Sequence, residues 1–315
     1  MRVFVTGGAG FIGSEYVRQL FEFRSHEIEE VTVFDKLTYA ANLESLTVVQ
    51  SKKNFHFIQG DISNPREVRK ALRNHDVIVN FAAESHVDRS IDSPREFITT
   101  NVLGTEVLLE AALDLEITKF LQVSTDEVYG SIAEGAATES NTLNPSSPYS
   151  ASKAAGELIA LSFYKTFGLD VRITRSSNNY GPYQYPEKLI PFFVKRTLEG
   201  KKLPLYGNGL NIRNWIHVSD NCRGIHSVLI DGQPGEIFNI GGIFSSTNID
   251  IAERILNYFG TGLKEIEYVA DRKGHDFRYA IDSTKIQQEI GFEEEIDFSK
   301  GIIEAIEWQE RNLKL

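Results

Sequence analysis

Short runs of β-branched and aromatic residues alternate with stretches whose apolar positions recur every three or four residues through the first 175 or so positions of the chain. The short runs predict strands, and the three-and-four spacing predicts helices that bury one apolar stripe. On that reading strands lie at Val3–Thr6, Val31–Asp35, Phe55–Gln59, Val77–Phe81, Phe120–Ser124 and Asp170–Thr174, with helices near Phe11–Phe23, Arg66–Arg73, Phe97–Leu115 and Tyr149–Phe167. Strict alternation of the two element types is the pattern of an α/β protein whose doubly wound parallel sheet carries helices on both faces. After Arg175 the texture changes: Asn178-Asn179, Gly181-Pro182 and Gly207-Asn208-Gly209 break the chain into shorter pieces. Helices are predicted there near Pro191–Glu199, Val218–Leu229, Ile249–Phe259 and Ile302–Arg311. Residues 1–175 are therefore read as one domain and residues 176–315 mainly as a smaller α/β lobe, with some later segments free to return to the first, and with a cleft between the two.

Composition narrows the function classes. With 315 residues, 41% hydrophobic and 24% charged, the chain has the balance of a globular protein, not a collagen-like, disordered or coiled-coil one. Its net charge of −11 offers no overall basic field for a phosphate backbone, so nucleic acid is not an expected partner. Charged residues interrupt every apolar segment before the roughly 18 residues a membrane span requires, and no membrane partner is expected. The lone Cys222 excludes an internal disulfide and a Cys-rich zinc site, and no metal is expected. Met1 leads directly into Val3-Phe4-Val5 without a charged and then apolar leader, so a cytoplasmic location is expected.

The first predicted strand runs into Gly7-Gly8-Ala9-Gly10-Phe11-Ile12-Gly13, which opens the first predicted helix. A helix N-terminus presents unpaired N–H groups and the positive end of its dipole, and glycines let a pyrophosphate approach the backbone. Alone, such glycines need mean only a tight turn. Their place after a first strand, together with Asp35 at the end of the second, predicts a Rossmann-type dinucleotide site. An acidic Asp35 suits the ribose diol of NAD and repels the extra phosphate of NADP, with neighbouring Lys36 the one feature pulling the other way. Asp61-Ile62 and Ala82-Ala83 fall after the third and fourth strands, where such a sheet meets its ligand.

Tyr149 and Lys153 stand four apart in a predicted helix, so their side chains share a face. A lysine ammonium near a phenol is expected to depress its pKa and make Tyr149 a base for a hydroxyl proton as hydride leaves the carbon. Ser124-Thr125-Asp126-Glu127, at the end of the fifth predicted strand, adds two adjacent carboxyl groups. In a buried cleft one of them can stay protonated as an acid while its neighbour acts as a base. Alcohol oxidation alone has no use for this pair; removal of a proton beside a new carbonyl and expulsion of a hydroxyl as water require it.

These residues, with Val5–Ser14, Asp35-Lys36-Leu37-Thr38-Tyr39-Ala40, Ala82-Ala83-Glu84-Ser85-His86-Val87-Asp88-Arg89-Ser90 and Ser177-Asn178-Asn179-Tyr180-Gly181-Pro182-Tyr183, carry a resemblance. From Arg2 to about Asp282 the chain resembles the dTDP-glucose 4,6-dehydratases of the extended short-chain dehydrogenase/reductase superfamily. The resemblance implies that NAD is held by Gly7, Gly10, Phe11, Ile12, Gly13, Asp35, Lys36, Leu37, Thr38, Asp61, Ile62, Phe81, Ala82, Ala83, Ser85, Thr100, Tyr149, Lys153 and Asn179. It assigns the nucleotide-diphospho-sugar, dTDP-glucose first, to Ser85, Thr125, Asn178, Lys188, Leu189, Pro204, Tyr206, Arg213, Asn248, Arg272 and His275, with Arg213 and Arg272 suited as clamps for the diphosphate. It gives Thr125, Asp126, Glu127, Tyr149 and Lys153 the chemistry of an NAD-dependent hydro-lyase: oxidation at sugar carbon 4, loss of water across carbons 5 and 6, hydride return to carbon 6. It also implies a homodimer formed through the helices near Phe97–Leu115 and Tyr149–Phe167. The same dehydration of UDP-glucose or a UDP-amino sugar, or an epimerisation, remains open. Departures from the family pattern, Asn214, Asn221, Phe244, Ser245 and Lys273, fall in the smaller lobe, and loss of acidic groups at Asn214 and Ser245 is expected to bear on substrate choice.

Overall fold

Val3 and Val5 leave one face of the strand Arg2–Thr6 (β1) and Phe4 leaves the other; all three are fully buried, each face in its own apolar cluster. The two-residue period of a strand does this automatically, and a strand apolar at every position must be covered on both sides. The computed structural model, which describes residues 1–313, extends the same logic to β2 (Glu30–Asp35), β3 (Phe55–Gln59), β4 (Val77–Asn80), β5 (Lys119–Thr125) and β6 (Val171–Ser176). Observed and predicted strands differ only at their ends.

The second half supplies β7 (Asn178–Tyr180), β8 (Leu203–Tyr206), β9 (Ile212–His217), β10 (Ile237–Ile240), β11 (Phe244–Thr247) and β12 (Ile266–Val269). β10 pairs in parallel with β6, so the central sheet has seven strands in the order β10-β6-β5-β4-β1-β2-β3. Helix Val218–Asp231 also returns to this sheet, setting Ile225, Val228 and Leu229 into the face covered by helix Phe11–Glu22. Helices Pro65–Ala71, Gly104–Asp114 and Pro148–Phe167 cover the opposite face. The remaining strands build the smaller lobe as a three-stranded sheet, β11-β9-β7, and a two-stranded one, β12-β8. Its core gathers Phe193, Trp215, Ile255, Phe298 and Ile302.

The helix predicted at Phe97–Leu115 is divided. A wider π turn at Ile98–Leu103 links Pro94–Phe97 to Gly104–Asp114. Here the Asn101 carbonyl accepts from the Thr105 hydroxyl at 2.8 Å, and it lies so near Gly156 that a Cβ there would come within 2.7 Å of it. Helix Pro148–Phe167 can thus approach closely, and Asn101 Nδ2 donates to Ser152 Oγ at 2.8 Å across the contact.

Helix Pro148–Phe167 is tied to the sheet by a buried ion pair. Glu157 and Arg175 have side chains 0% and 3% exposed; Arg175 Nε and Nη2 donate to Glu157 Oε2 at 3.0 and 2.7 Å. Arg175 Nη1 also donates to Tyr129 Oη, which in turn donates to Asn239 on β10. Glu157→Ala should therefore destabilise the fold by about 3–5 kcal/mol, because it strands a buried guanidinium. Chemical denaturation of the variant checks this; a loss under about 1 kcal/mol would show that Tyr129 alone satisfies Arg175.

Most family departures serve the architecture, Asn214, Phe244 and Ser245 within the lobe and Asn221 on the helix that returns to the central sheet. Asn214 and Ser245 are register partners between β9 and β11, and Asn214 Nδ2 donates to the carbonyls of Gly242 (2.6 Å) and Phe244 (3.2 Å) and to Ser245 Oγ (3.2 Å). Phe244 stacks on Phe298 at 4.0 Å between ring centroids, and Asn221 accepts from Ser176 Oγ at 2.7 Å. Asn214 Oδ1, by contrast, is buried without a hydrogen-bond partner among the described residues. Among the described residues no helix is long and apolar enough to cross a membrane, and no group of three or more His, Cys, Asp or Glu side chains is placed to hold a metal.

Candidate active site

Strand order reverses between β1 and β4, and a doubly wound sheet opens a crevice at that point, beyond the carboxyl ends of its strands. Gly7 follows β1 with φ +66°, and a Cβ there would lie 2.6 Å from the backbone nitrogen of Ala82, which follows β4. Only glycine allows the two loops to meet this closely. Helix Phe11–Glu22 begins on the far side of the loop with no side-chain cap and no acidic residue in its first turn, so its leading N–H groups are left for an anion. At the end of β2, Asp35 accepts from the backbone N–H groups of Ala9 (2.9 Å) and Leu37 (2.8 Å), while burial pushes its carboxyl above the ordinary value. Lys36 is engaged elsewhere: its ammonium pairs with Asp61 at 2.8 Å. The cation that pulled toward NADP thus already has a carboxylate partner.

The resulting cleft, about 300 Å³, is lined by nearly every residue expected to hold the dinucleotide, from the glycine loop through Thr38, Asp61, Ile62, Phe81, Ala82, Ala83, Ser85, Thr100 and Asn179. Leu37 is the exception: it adopts φ 58° and packs its side chain on the core, leaving only its N–H to orient Asp35.

Chemistry-bearing groups converge at the inner end. Ser147 caps helix Pro148–Phe167 in a reciprocal capping box with Ser150, and Pro148 occupies the first turn. That start fixes the rotation of the helix, setting Tyr149 and Lys153 on the face turned to β5, where both line the cleft. Lys153 is buried and donates to the Val123 carbonyl at 2.7 Å; desolvation lowers its pKa to about 8. Tyr149 departs from expectation. Burial first, and then the charges of Glu127 and Asp126, push its phenol above the ordinary value, the reverse of the expected depression. The i, i+4 spacing places both side chains on one face, but the lysine proton goes to a carbonyl.

Thr125 closes β5 and lies within hydrogen-bonding reach of the Tyr149 phenol; its hydroxyl also donates to Asp126 Oδ1 at 3.2 Å and accepts from the Glu127 N–H at 3.3 Å. Asp126 is 3% exposed, and burial followed by repulsion from Glu127 raises its pKa to about 8. Glu127 is raised by burial too, but Arg272, Arg213 and Lys188 pull it back. The two neighbours are therefore unequal: Asp126 is a neutral acid at pH 7, and Glu127 faces three cations that favour its charge.

Along the cleft several buried polar atoms have no partner among the described residues: Ser124 Oγ, Asp126 Oδ2, Asn178 Oδ1, Asn179 Oδ1 and Gln184 Oε1. Buried polar groups are normally satisfied, and orphans clustered at a cleft fit a site built for a polar ligand. Together with the uncapped helix and the carboxylate of Asp35, they fit a dinucleotide and a polar substrate. On the lobe side, Lys188 donates to the Ser85 carbonyl at 3.0 Å and lines the cleft. Leu189, Pro204, Tyr206, Arg213, Asn248, Arg272 and His275 lie outside the cavity lining. Arg213 and Arg272 still bear electrostatically on Glu127, and the rings of Tyr206 and His275 lie 6.1 Å apart.

Sequence reasoning missed Glu84, Gln184, Tyr185 and Glu187, all of which line the cleft. Glu187 accepts from the Tyr39 hydroxyl at 3.1 Å, and Arg89 stacks on the Tyr39 ring at 3.5 Å, so three separated segments meet there. Only the adjacency of Glu84 and Glu187 to Ser85 and Lys188 pointed toward them.

Known proteins resemble this chain in sequence and fold. A family model described as GDP-mannose 4,6 dehydratase matches residues 4–305. A dTDP-glucose 4,6-dehydratase of Streptomyces niveus is 50% identical over 314 residues, covering 99% of this chain and 94% of that protein. The crystal structure of DesIV, the dTDP-glucose 4,6-dehydratase of Streptomyces venezuelae, solved with NAD bound, superposes with a TM-score of 0.98 at 49% identity, covering 100% of this chain and 98% of the other. UDP-glucose 4-epimerase of Thermotoga maritima shares the fold at a TM-score of 0.91 with 28% identity, covering 99% and 100% of the two chains. Fold alone therefore does not separate dehydration from epimerisation, whereas full-length identity near one half does: the chain belongs to the nucleotide-sugar 4,6-dehydratase family, among the dTDP-glucose 4,6-dehydratases.

Proposed function

We propose that the protein is an NAD-dependent hydro-lyase that converts dTDP-glucose to dTDP-4-keto-6-deoxyglucose and water. The observation that carries this reading is the inequality of Asp126 and Glu127, neighbours at the end of β5: Asp126 is buried and its pKa is raised to about 8, whereas Glu127 faces the cations of Arg272, Arg213 and Lys188. The glycine loop would hold the cofactor's pyrophosphate and Asp35 its ribose diol. Bound there, oxidised NAD supplies a hydride acceptor for carbon 4 that later gives the hydride to carbon 6, and a positive ring that favours a nearby phenolate. Arg213 and Arg272 suit the substrate's diphosphate.

Thr125, within reach of both Tyr149 and Asp126, positions the oxygen on carbon 4, and Tyr149 removes its proton as the hydride leaves. The new ketone acidifies carbon 5. Glu127 takes the carbon 5 proton, and Asp126 gives its proton to the carbon 6 hydroxyl, which departs as water. Glu127 returns a proton to carbon 5 when carbon 6 is reduced, and release of the proton that Tyr149 took from the carbon 4 oxygen balances, through solvent, the proton that Asp126 regains. A cytoplasmic homodimer fits the buried free thiol of Cys222 and the exposed Ile98, Leu103 and Leu158 on the helical segments expected to pair.

The cycle is redox-neutral, and that makes it testable. Deuterium placed at carbon 4 of dTDP-glucose should be recovered at carbon 6 of the product by mass spectrometry and NMR. Free reduced cofactor accumulating in step with product would overturn the proposal.

A further inference from the structure

Tyr279 lies outside every motif that pointed to the site, yet it is only 4% exposed and its hydroxyl sits between two carboxyl groups. The distances are unequal: 2.8 Å to Asp276 Oδ2 and 3.4 Å to Glu127 Oε2. The first is an ordinary O–H···O bond and the second is long for one, so the single phenolic hydrogen belongs to Asp276. Asp276 is itself fixed, its other oxygen accepting from Ser146 Oγ at 2.6 Å, one residue before the cap of the helix that carries Tyr149. The backbone is held as well: Tyr279 N–H donates to the Ile212 carbonyl at 3.1 Å. What Tyr279 turns toward Glu127 is therefore an oxygen lone pair.

A lone pair offers nothing to an ionised carboxylate, but it accepts a hydrogen bond from a protonated one. We infer that Tyr279 is a positioning residue for Glu127, whose oxygen receives the Glu127 O–H once that group has taken the proton from carbon 5. No bond to Tyr279 forms or breaks; the protonated Glu127 carboxyl exchanges with solvent before it returns a proton to carbon 5. The 3.4 Å separation would close in that state, as hydrogen bonds in a free site commonly tighten when the reacting state forms. Stabilisation confined to the state after proton transfer favours the step itself over substrate binding. The ring has a second duty. The Arg213 guanidinium lies 4.2 Å from its centroid, so one side chain supports both the cation suited to the diphosphate and the base.

This inference rests on the dehydration proposed above. Its test compares Tyr279→Phe, which keeps the ring under Arg213, with Tyr279→Leu, which removes both ring and hydroxyl, in full-length protein loaded with NAD and given dTDP-glucose in heavy water. For Tyr279→Phe we expect KM and the rate of carbon 4 oxidation within about twofold of the unaltered protein, with deuterium entry at carbon 5 and kcat reduced about 10-fold, the scale of one hydrogen bond lost after proton transfer. Tyr279→Leu should show the same defect and a raised KM. Unchanged exchange in Tyr279→Phe overturns the assignment, and so does an equal fall in carbon 4 oxidation and carbon 5 exchange, which marks a merely structural role. If the unaltered protein turns over without any carbon 5 exchange, the dehydration reading fails and this inference fails with it.

Discussion

Glu127→Gln and Asp126→Asn should each lower turnover by about 10²–10⁴-fold, the range for a lost general base or acid, yet stop the reaction at different points. Glu127→Gln keeps the size of the side chain and removes the base, so carbon 4 is still oxidised and reduced cofactor builds up on the protein without exchange at carbon 5. Asp126→Asn leaves the ketone and Glu127 in place; exchange at carbon 5 continues while loss of water becomes slow. A single turnover of each variant in heavy water, following cofactor absorbance and deuterium at carbon 5, separates the two. Exchange abolished in Asp126→Asn and preserved in Glu127→Gln would reverse the assignment. The unaltered protein carries a related pH signature. Asp126 acts as an acid only while protonated, and its pKa in the free site is about 8. Accordingly kcat/KM, which reports the free enzyme, should fall toward tenfold per pH unit above about 8. A flat profile to pH 10 would remove Asp126 from the acid role.

Tyr149→Phe deletes one oxygen. The aromatic contact with Phe97, 6.3 Å between centroids, is kept, and the glycine loop and Asp35 are untouched, so fold and cofactor binding should survive. Turnover should drop by about 10²–10⁴-fold because the group assigned to take the carbon 4 hydroxyl proton is removed. Carbon 4 oxidation should fall with it, unlike in Glu127→Gln, and a stopped-flow record of cofactor reduction distinguishes the two. Near-normal turnover by a well-folded variant would take Tyr149 out of the role.

What could be read from the chain follows from how local each signal is. Val3–Thr6, the glycine loop and the helix behind it are contiguous, and Asp35 lies at the end of the next strand, so period and spacing alone reach the dinucleotide site. Tyr149 and Lys153 share a face for the same reason. Spacing cannot say where a flexible ammonium points, and Lys153 donates to the Val123 carbonyl; nor can it show the burial and the neighbouring Glu127 and Asp126 that raise the phenol instead. The lobe-side residues came from resemblance, since no local periodicity brings Lys188, Arg213 and Arg272 around Glu127. Glu187 and Tyr279 escaped because their roles exist only after distant segments meet: Glu187 with Tyr39 and Arg89, Tyr279 with Asp276, Ser146 and Glu127.

The pairing of β10 with β6 has a consequence for synthesis. During translation β6 leaves the ribosome with one edge of hydrogen-bonding groups open, and its partner at Ile237–Ile240 follows only after the intervening lobe strands and helix Val218–Asp231. At about 5–20 residues per second that interval lasts several seconds, long enough for an unpaired apolar edge to meet another nascent chain. The buried Arg175 on β6 waits as well, because the Asn239 that completes its link through Tyr129 is carried by β10. A truncation at residue 175 would therefore leave the last edge of the central sheet open, because that edge is closed by the part of the chain that also builds the smaller lobe.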